Sequence, residues 1–217
     1  GDEGSNPIIF NKPSWIKEVK INGNTITVTA NANANKTPRP QEEIIIRSKY
    51  YDKNPALFKT IKVSQKALVF DTASISLESN PFGSVEDLQR SVELGHCDGK
   101  WSVVENYAWI NVTPSTGSGS ATITIAASKN TTQVARQATI RIESEFIQQN
   151  PTLYKEIKVS QKALQFDTTT VPNQMTFGAI PSAGQTFDIG RCDGGWKVLL
   201  HGGRLGQPKS DHYSRCE

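Results

Sequence analysis

Histidine and cysteine are the side chains that could form a metal site or a reactive nucleophile here, and the chain has only 3 of each. A zinc or catalytic cluster needs ligands at a defined spacing, together with carboxylate or thiol partners. His96 with Cys97, and His212 with Cys216, are the only close pairs, and neither has such a spacing. The remaining histidine, His201, belongs to no such pair. We therefore expect no metal site and no cofactor.

Motifs of common enzyme classes are also missing from the sequence. It contains no Gly-x-Ser-x-Gly elbow, no His-Glu-x-x-His pair and no phosphate-binding loop. The glycine-rich run 117–119 is not followed by the Lys-Ser/Thr of a nucleotide-binding loop. Asp98 and Asp193 lie beside glycine, where aspartate is common for turn formation alone. The sequence predicts a protein that is not an enzyme.

Aromatic side chains beside polar loops are the other candidates for chemistry, because their ring faces can stack on the C–H faces of sugars. These candidate ligand-binding residues are Tyr50, Tyr51, Phe58, Tyr107, Phe146 and Tyr154. Most of them flank two similar loops, 52–57 and 148–153, whose polar side chains could add hydrogen bonds. The alternative, which we favour at this point, is that the rings only seal these hairpins.

An internal repeat determines the organisation of the chain. Residues 56–72 and 152–168 are identical at 13 of 17 aligned positions, and Cys97-Asp-Gly recurs as Cys192-Asp-Gly. Four tryptophans occupy two repeat positions, Trp15 with Trp109 and Trp101 with Trp196, so we expect them to pack in cores. A period of about 95 residues matches one β-sandwich domain rather than a short solenoid unit.

Alternation of apolar and polar residues predicts short β-strands throughout, and no long helical period occurs. In the middle repeat the predicted strands are Ser74–Leu77, Arg90–Gly95, Trp101–Val104, Trp109–Val112, Ala121–Ala126, Gln137–Glu143 and Glu156–Gln161. Seven strands in about 97 residues are typical of an immunoglobulin-like sandwich. The predicted fold class is all-β, with tandem immunoglobulin-like β-sandwich modules.

The order of motifs in the middle repeat resembles a known family. Trp101 is followed by Trp109-Ile-Asn-Val-Thr-Pro114, then by Gly117-Ser-Gly119, and the repeat ends in Ile157-Lys-Val-Ser-Gln161. This pattern resembles the BACON domain, the Bacteroidetes-associated carbohydrate-binding module that is often N-terminal. The resemblance implies an immunoglobulin-like sandwich, secretion and attachment at the surface of gut Bacteroidetes. It also implies carbohydrate binding.

The repeat predicts three units: a partial module at 1–66 without its first strands, a complete module at 67–163, and a partial module at 164–217. The segment 201–217 is expected to be coil. Partial sandwiches expose strand edges. Either loops cover these edges, which we favour, or the two partial modules exchange strands between chains.

Charge and targeting signals bear on the partners. The net charge of +3 does not indicate nucleic acid binding, and no apolar run is long enough to span a membrane. The chain begins with Gly1 instead of Met, which suggests that a targeting segment was removed. Any membrane attachment would use a lipid anchor outside this chain, at the outer-membrane surface or in the periplasm. Cys192 and Cys216 could form a disulfide in such a compartment.

Two junction threonines, Thr72 and Thr168, follow aspartate in a pattern that looks like the O-glycosylation acceptor of exported Bacteroidetes proteins. The function expected from all these features is a non-catalytic surface module that binds carbohydrate, such as host mucin glycans, or mediates adhesion. The alternative is a spacer that holds a partner surface protein away from the outer membrane.

Overall fold

The computed structural model describes residues 7–23, 25–77, 80–180, 184–198 and 213–215. All regular elements in these ranges are β-strands, which pair antiparallel, and no helix occurs among them. The predicted all-β class is therefore confirmed, while the tandem immunoglobulin-like arrangement stays a prediction. Within the same ranges, no helix has the length and apolar character needed to cross a bilayer.

The described residues of the middle repeat form seven strands in two sheets. They are β6 (Gln89–Leu94), β7 (Lys100–Val104), β8 (Ile110–Thr113), β9 (Thr116–Ser118), β10 (Ala121–Ala127), β11 (Arg136–Ser144) and β12 (Tyr154–Gln161). One sheet has the order β6-β10-β8 and the other β12-β11-β7-β9. Side chains from both sheets form one core, including Ile123 of β10 and Ile140 of β11. This two-sheet arrangement is consistent with a β-sandwich.

One strand predicted for this repeat is wrong. Ser74–Leu77 forms no strand, although Ile75 is buried in the core. Phe82 bonds to this sheet edge instead, because its amide donates to the Ser160 carbonyl at 2.8 Å. The apolar spacing of Ser74–Leu77 therefore reflects side-chain burial without a backbone ladder. The short edge strand β9 was not predicted.

The described residues of the first repeat form five strands and a small core. They are β1 (Ile8–Asn11), β2 (Ile16–Asn22), β3 (Thr25–Ala30), β4 (Arg39–Arg47) and β5 (Phe58–Gln65). The sheet β1-β4-β5 is separate from the hairpin β2-β3. Among the described apolar residues, Ile16, Ile44 and Ile46 form the buried core cluster of this repeat. All six residues of β3 are exposed, so this module is much more open than the middle one.

The last repeat contributes one described strand pair, β13 (Gly195–Lys197) with β14 (Tyr213–Arg215). Coil was therefore the wrong prediction for 213–215, because these residues pair with the strand that contains Trp196. Residues 201–212, 216 and 217 lie outside the described ranges. The segment Gln185–Ile189, which repeats β6 in sequence, is not part of a strand.

Hydrogen bonds cross both junctions between repeats. The Leu68 amide donates to the Asn35 carbonyl at 2.8 Å, and the equivalent Leu164 amide donates to the Thr132 carbonyl at 2.7 Å. Ser84 Oγ further lies 2.7 Å from Asp193 Oδ2, which belongs to the last repeat. These short connections hold each repeat directly against its neighbour.

Candidate functional site

The outer face of the β1-β4-β5 sheet carries a cluster of exposed aromatic side chains. Strand pairing places Ile8, Arg47 and Phe58 side by side across the three strands. Because side chains alternate along β4, the buried Ile46 faces the core and Arg47 faces outward. Ile8 is 55% exposed and Phe58 is 52% exposed, which is unusual for such apolar residues on one face.

Arginine organises this cluster. The Arg47 guanidinium carbon lies 3.2 Å from the centre of the Phe10 ring and 4.0 Å from that of Tyr51. Tyr51 in turn meets Phe58 edge to face, with 6.1 Å between ring centres. Such cation–π and edge-to-face contacts hold rings in defined orientations. We call the set Ile8, Phe10, Arg47, Tyr51 and Phe58 the N-terminal aromatic patch.

The hairpin beside the patch is held by its own hydrogen bonds. The Ser48 amide donates to the Leu57 carbonyl at 2.9 Å, and the Asn54 side-chain carbonyl accepts from the Ala56 amide at 3.1 Å. Tyr50 lies in this loop, half-exposed, with the Lys49 ammonium 5.1 Å from its ring centre. The loop therefore presents an ordered border of polar groups and one more ring next to the patch.

The same position in the middle repeat is different. Tyr154 corresponds to Phe58 and is partly exposed, but the Arg141 guanidinium lies 3.8 Å from its ring centre and is paired with Glu143 at 2.9 Å. Phe146 is partly buried and packs against the core. This surface therefore offers one ring bordered by an ion pair, and no aromatic cluster.

Tyr107 is remote from both hairpins, in the loop between β7 and β8. Its ring meets Trp109 edge to face, with 6.4 Å between the ring centres. The structure thus brings Tyr51 and Phe58 into contact, with Tyr50 in the adjoining loop, while Tyr107 forms no cluster with the hairpin rings. Sequence analysis missed Phe10 and Arg47, although strand alternation in β4 was a signal that Arg47 faces outward.

The expectation that all four tryptophans are core residues is confirmed for Trp101, which is 2% exposed. The other three are only partly buried. Trp109 lies at the edge of the core, with the Arg136 guanidinium 4.5 Å from its ring centre, and Arg39 lies over Trp15 in the same way at 5.4 Å. An arginine thus covers the ring where the sheet ends.

Among the described residues, His96, Cys97 and Asp98 make local hydrogen bonds. No group of three or more His, Cys, Asp or Glu side chains that could hold a metal occurs among the described residues. His96 pairs only with Asp98, at 3.2 Å on the surface, and His201 and His212 lie outside the described ranges. Hydrogen bonding by the Val69 amide lowers the pKa of Asp98. Burial raises the pKa of the Cys97 thiol, which disfavours its reactive thiolate form.

The other predicted modifications are only partly visible in the structure. Cys192 is disulfide-bonded, while Cys216 lies outside the described residues. Thr168 is exposed and Thr72 partly buried. Each follows an aspartate whose carboxylate accepts a hydrogen bond from the backbone amide two residues later. In the second junction, the Thr169 amide donates to Asp167 Oδ1 at 2.9 Å. Glycosylation of these threonines stays a prediction.

Part of the chain matches the model of one protein family. Residues 99–162 match the BACON family, described as "Putative binding domain, N-terminal". The search of curated proteins finds no match. Among solved structures, the chain resembles a Bacteroides ovatus GH5 xyloglucanase in complex with a XXXG heptasaccharide. It shares 16% identity with that protein at a TM-score of 0.36, over 50% of this chain and 23% of the xyloglucanase.

An endo-fucoidan hydrolase from glycoside hydrolase family 107 is also similar, with 10% identity and a TM-score of 0.30 over 77% of this chain and 25% of the hydrolase. The chain therefore spans about a quarter of the length of the solved proteins that it matches.

Proposed function

We propose that the chain, whose residues 99–162 match the BACON family model, is a non-catalytic carbohydrate-binding protein whose binding surface is the N-terminal aromatic patch. The observation that carries this proposal is the stack of Phe10, Arg47 and Tyr51, which fixes several rings on an exposed sheet face. Sugar rings present flat C–H faces that pack on such rings, and their hydroxyl groups need polar partners at the border.

Comparison between the repeats supports the choice of the first module. The repeats place Phe58 and Tyr154 at equivalent positions, but of these two described residues only Phe58 contacts another aromatic ring, that of Tyr51. An arginine held between two rings also loses little conformational freedom when a ligand binds, because it is already ordered. A preorganised aromatic surface favours the binding of sugars, because the C–H faces of a sugar ring supply only a small apolar area.

Charge favours acidic carbohydrates as the ligand class. Residues 1–66 contain 11 Lys+Arg against 6 Asp+Glu, a net charge of +5, whereas the whole chain has +3. Lys49 and Arg47 lie at the patch itself. Sialylated or sulfated host glycans, such as those of mucin, fit this combination of rings and cations. Such a role would place the protein beyond the inner membrane, lipid-anchored at the outer-membrane surface or in the periplasm.

A carbohydrate array that contains neutral, sialylated and sulfated glycans tests the proposal, followed by titration calorimetry with each glycan that binds. Phe58→Ala should remove about 50 Å² of contacting ring face and a similar area of sugar, which costs ~2 kcal/mol, or ~30-fold in Kd. Tyr154→Ala is the matched control and should change Kd less than about threefold. Equal losses for the two variants, or no binding on the array, would contradict the proposal.

The second candidate function is a spacer, and the hydrogen bonds across the junctions favour it. Repeats held directly together would form a stiff rod that keeps a partner surface protein away from the membrane. Small-angle scattering on the chain measures this property. An extended profile without glycan binding would support the spacer, and a profile of independently moving modules would contradict it.

A further inference from the structure

The first repeat leaves uncovered a strand edge that the middle repeat covers. In the middle repeat β10 has neighbours on both sides, β6 and β8. The equivalent strand of the first repeat, β3, pairs among the described residues only with β2. Its Ile26 and Val28 are 37% and 39% exposed, whereas the matching Ile123 and Ile125 are 1% and 0% exposed. The edge of β3 is thus an unpaired, partly apolar template for another strand.

The middle repeat shows which side-chain pairs fit this edge. Val92 of β6 lies opposite Ile123 of β10 in the core. On the outer face, Ser91 and Thr124 are paired, with 3.2 Å between their hydroxyl oxygens. Thr122 donates its hydroxyl hydrogen to Glu93 at 2.9 Å.

The last repeat contains an unused copy of β6. Residues 185–190 repeat the positions 90–95, and Gly190 approaches the Asp167 carboxylate just as Gly95 approaches that of Asp71. The segment nevertheless forms no strand, and Phe187, at the position of Val92, is 46% exposed. A segment with the residue pattern of β6 is therefore available on the surface.

We propose that residues 185–189 of one copy of the chain add as an antiparallel strand to β3 of a second copy. The register of the middle repeat places Phe187 opposite Ile26, and Asp188 opposite Thr25. It also places Thr186 opposite Thr27, which gives a hydroxyl pair like Ser91 and Thr124. These three side-chain pairs thus keep the chemistry of the middle repeat: apolar with apolar, hydroxyl with hydroxyl, and hydroxyl with carboxylate.

A second contact extends this interface. In the middle repeat Phe82 is fully buried, and Gln161 donates its side-chain amide to the Gly83 carbonyl at 2.9 Å. Phe177-Gly178 repeats Phe82-Gly83, and Phe177 is 59% exposed. Gln65 repeats Gln161 and is only half-buried.

The donor and the acceptor lie on different surfaces, so the association is heterologous and joins copies head to tail. This inference does not depend on carbohydrate binding, because β3 and the N-terminal aromatic patch belong to different sheets.

Light scattering coupled to size exclusion, at protein concentrations from about 1 µM to about 1 mM, tests the association. We expect the mass to rise with concentration for the unchanged chain and to stay monomeric for both Ile26→Lys and Phe187→Lys. Both residues are partly exposed in the single chain, so these variants should fold. A strictly monomeric unchanged chain, or oligomers that persist in both variants, would overturn the proposal.

Disulfide trapping tests the register. A Thr27→Cys chain mixed with a Thr186→Cys chain should give an intermolecular disulfide between the two introduced cysteines, detected as a cross-linked peptide in mass spectrometry after mild oxidation. Lys20→Cys is the matched control, because Lys20 lies opposite Thr27 on β2, on the far side of β3 from the added strand. Equal trapping of Lys20→Cys and Thr27→Cys would refute the register. In a chain carrying both Thr27→Cys and Thr186→Cys, trapping confined to single chains would refute the exchange.

Discussion

The Gln161 side chain connects three segments of the middle repeat, and its removal should be costly. Its amide nitrogen donates to the carbonyls of Gly83 at 2.9 Å and Ser128 at 3.0 Å. Its carbonyl accepts from Arg136 Nε at 2.7 Å, and the residue is 1% exposed. Gln161→Ala would leave these buried partners without hydrogen bonds, because water has no access to replace the amide.

The magnitude follows from counting the bonds. Two neutral hydrogen bonds contribute about 1 kcal/mol each and the bond from the charged Arg136 about 2 kcal/mol, which gives ~4 kcal/mol. Gln65 is the matched control: it donates to the Asn31 carbonyl at 3.0 Å and accepts from Arg39 at 2.8 Å. Because Gln65 is only half-buried, water can replace part of both bonds, and Gln65→Ala should cost ~1 kcal/mol.

Hydrogen–deuterium exchange followed by mass spectrometry measures the two modules separately in one chain. We expect Gln161→Ala to speed exchange of the β11 and β12 amides by roughly three orders of magnitude, which corresponds to ~4 kcal/mol. Gln65→Ala should speed exchange in β4 and β5 by less than about tenfold. Equal, small effects of the two substitutions would refute the reasoning that burial determines the cost.

Three further outcomes follow from local geometry. Burial raises the pKa of Cys97, so its alkylation at pH 8 should be much slower than that of a model thiol. The two rates should become equal only in denaturant. Mass spectrometry measures the extent of alkylation. The hydrogen bond from Ser84 lowers the pKa of Asp193 in the folded protein. The bond therefore stabilises the fold at pH values above the pKa that Asp193 has in the unfolded chain. This stabilisation is lost as the pH falls through the lowered pKa of the folded state. Ser84→Ala should therefore speed amide exchange at the second junction at pH 7, and this effect should disappear in stronger acid; an effect that does not depend on pH would contradict this. A Cβ at Gly117 would lie 2.4 Å from Cζ2 of Trp101, so Gly117→Ala should displace β9. Urea unfolding should show a destabilisation of the module by ~1–3 kcal/mol, and the tryptophan fluorescence should shift.

Local patterns were sufficient for much of the fold. The alternation in β10 predicted a strand at Ala121–Ala126, and the strand covers Ala121–Ala127. The same reasoning was wrong at Ser74–Leu77, because apolar spacing reports which side chains are buried and not whether the backbone finds a partner. Whether a segment becomes a strand depends on a free neighbouring edge, and that is a property of the assembled module.

The candidate site likewise contains residues that the sequence predicted and residues that only the structure identified. Tyr50, Tyr51 and Phe58 were recognisable as rings beside a polar loop, because sequence neighbours share a hairpin. Phe10 was not recognisable from the sequence, because it contacts Arg47 only when β1 pairs with β4, which is distant from it in the chain.

The repeat, the all-β class and the family resemblance follow from the order of residues along the chain, because strand alternation and turn chemistry are short-range properties. Only the tertiary structure decided which rings remain exposed. Phe58 and Tyr154 occupy equivalent positions, yet one joins an aromatic cluster and the other lies beside an ion pair. That difference arises from residues on other strands, which pairing places next to each ring.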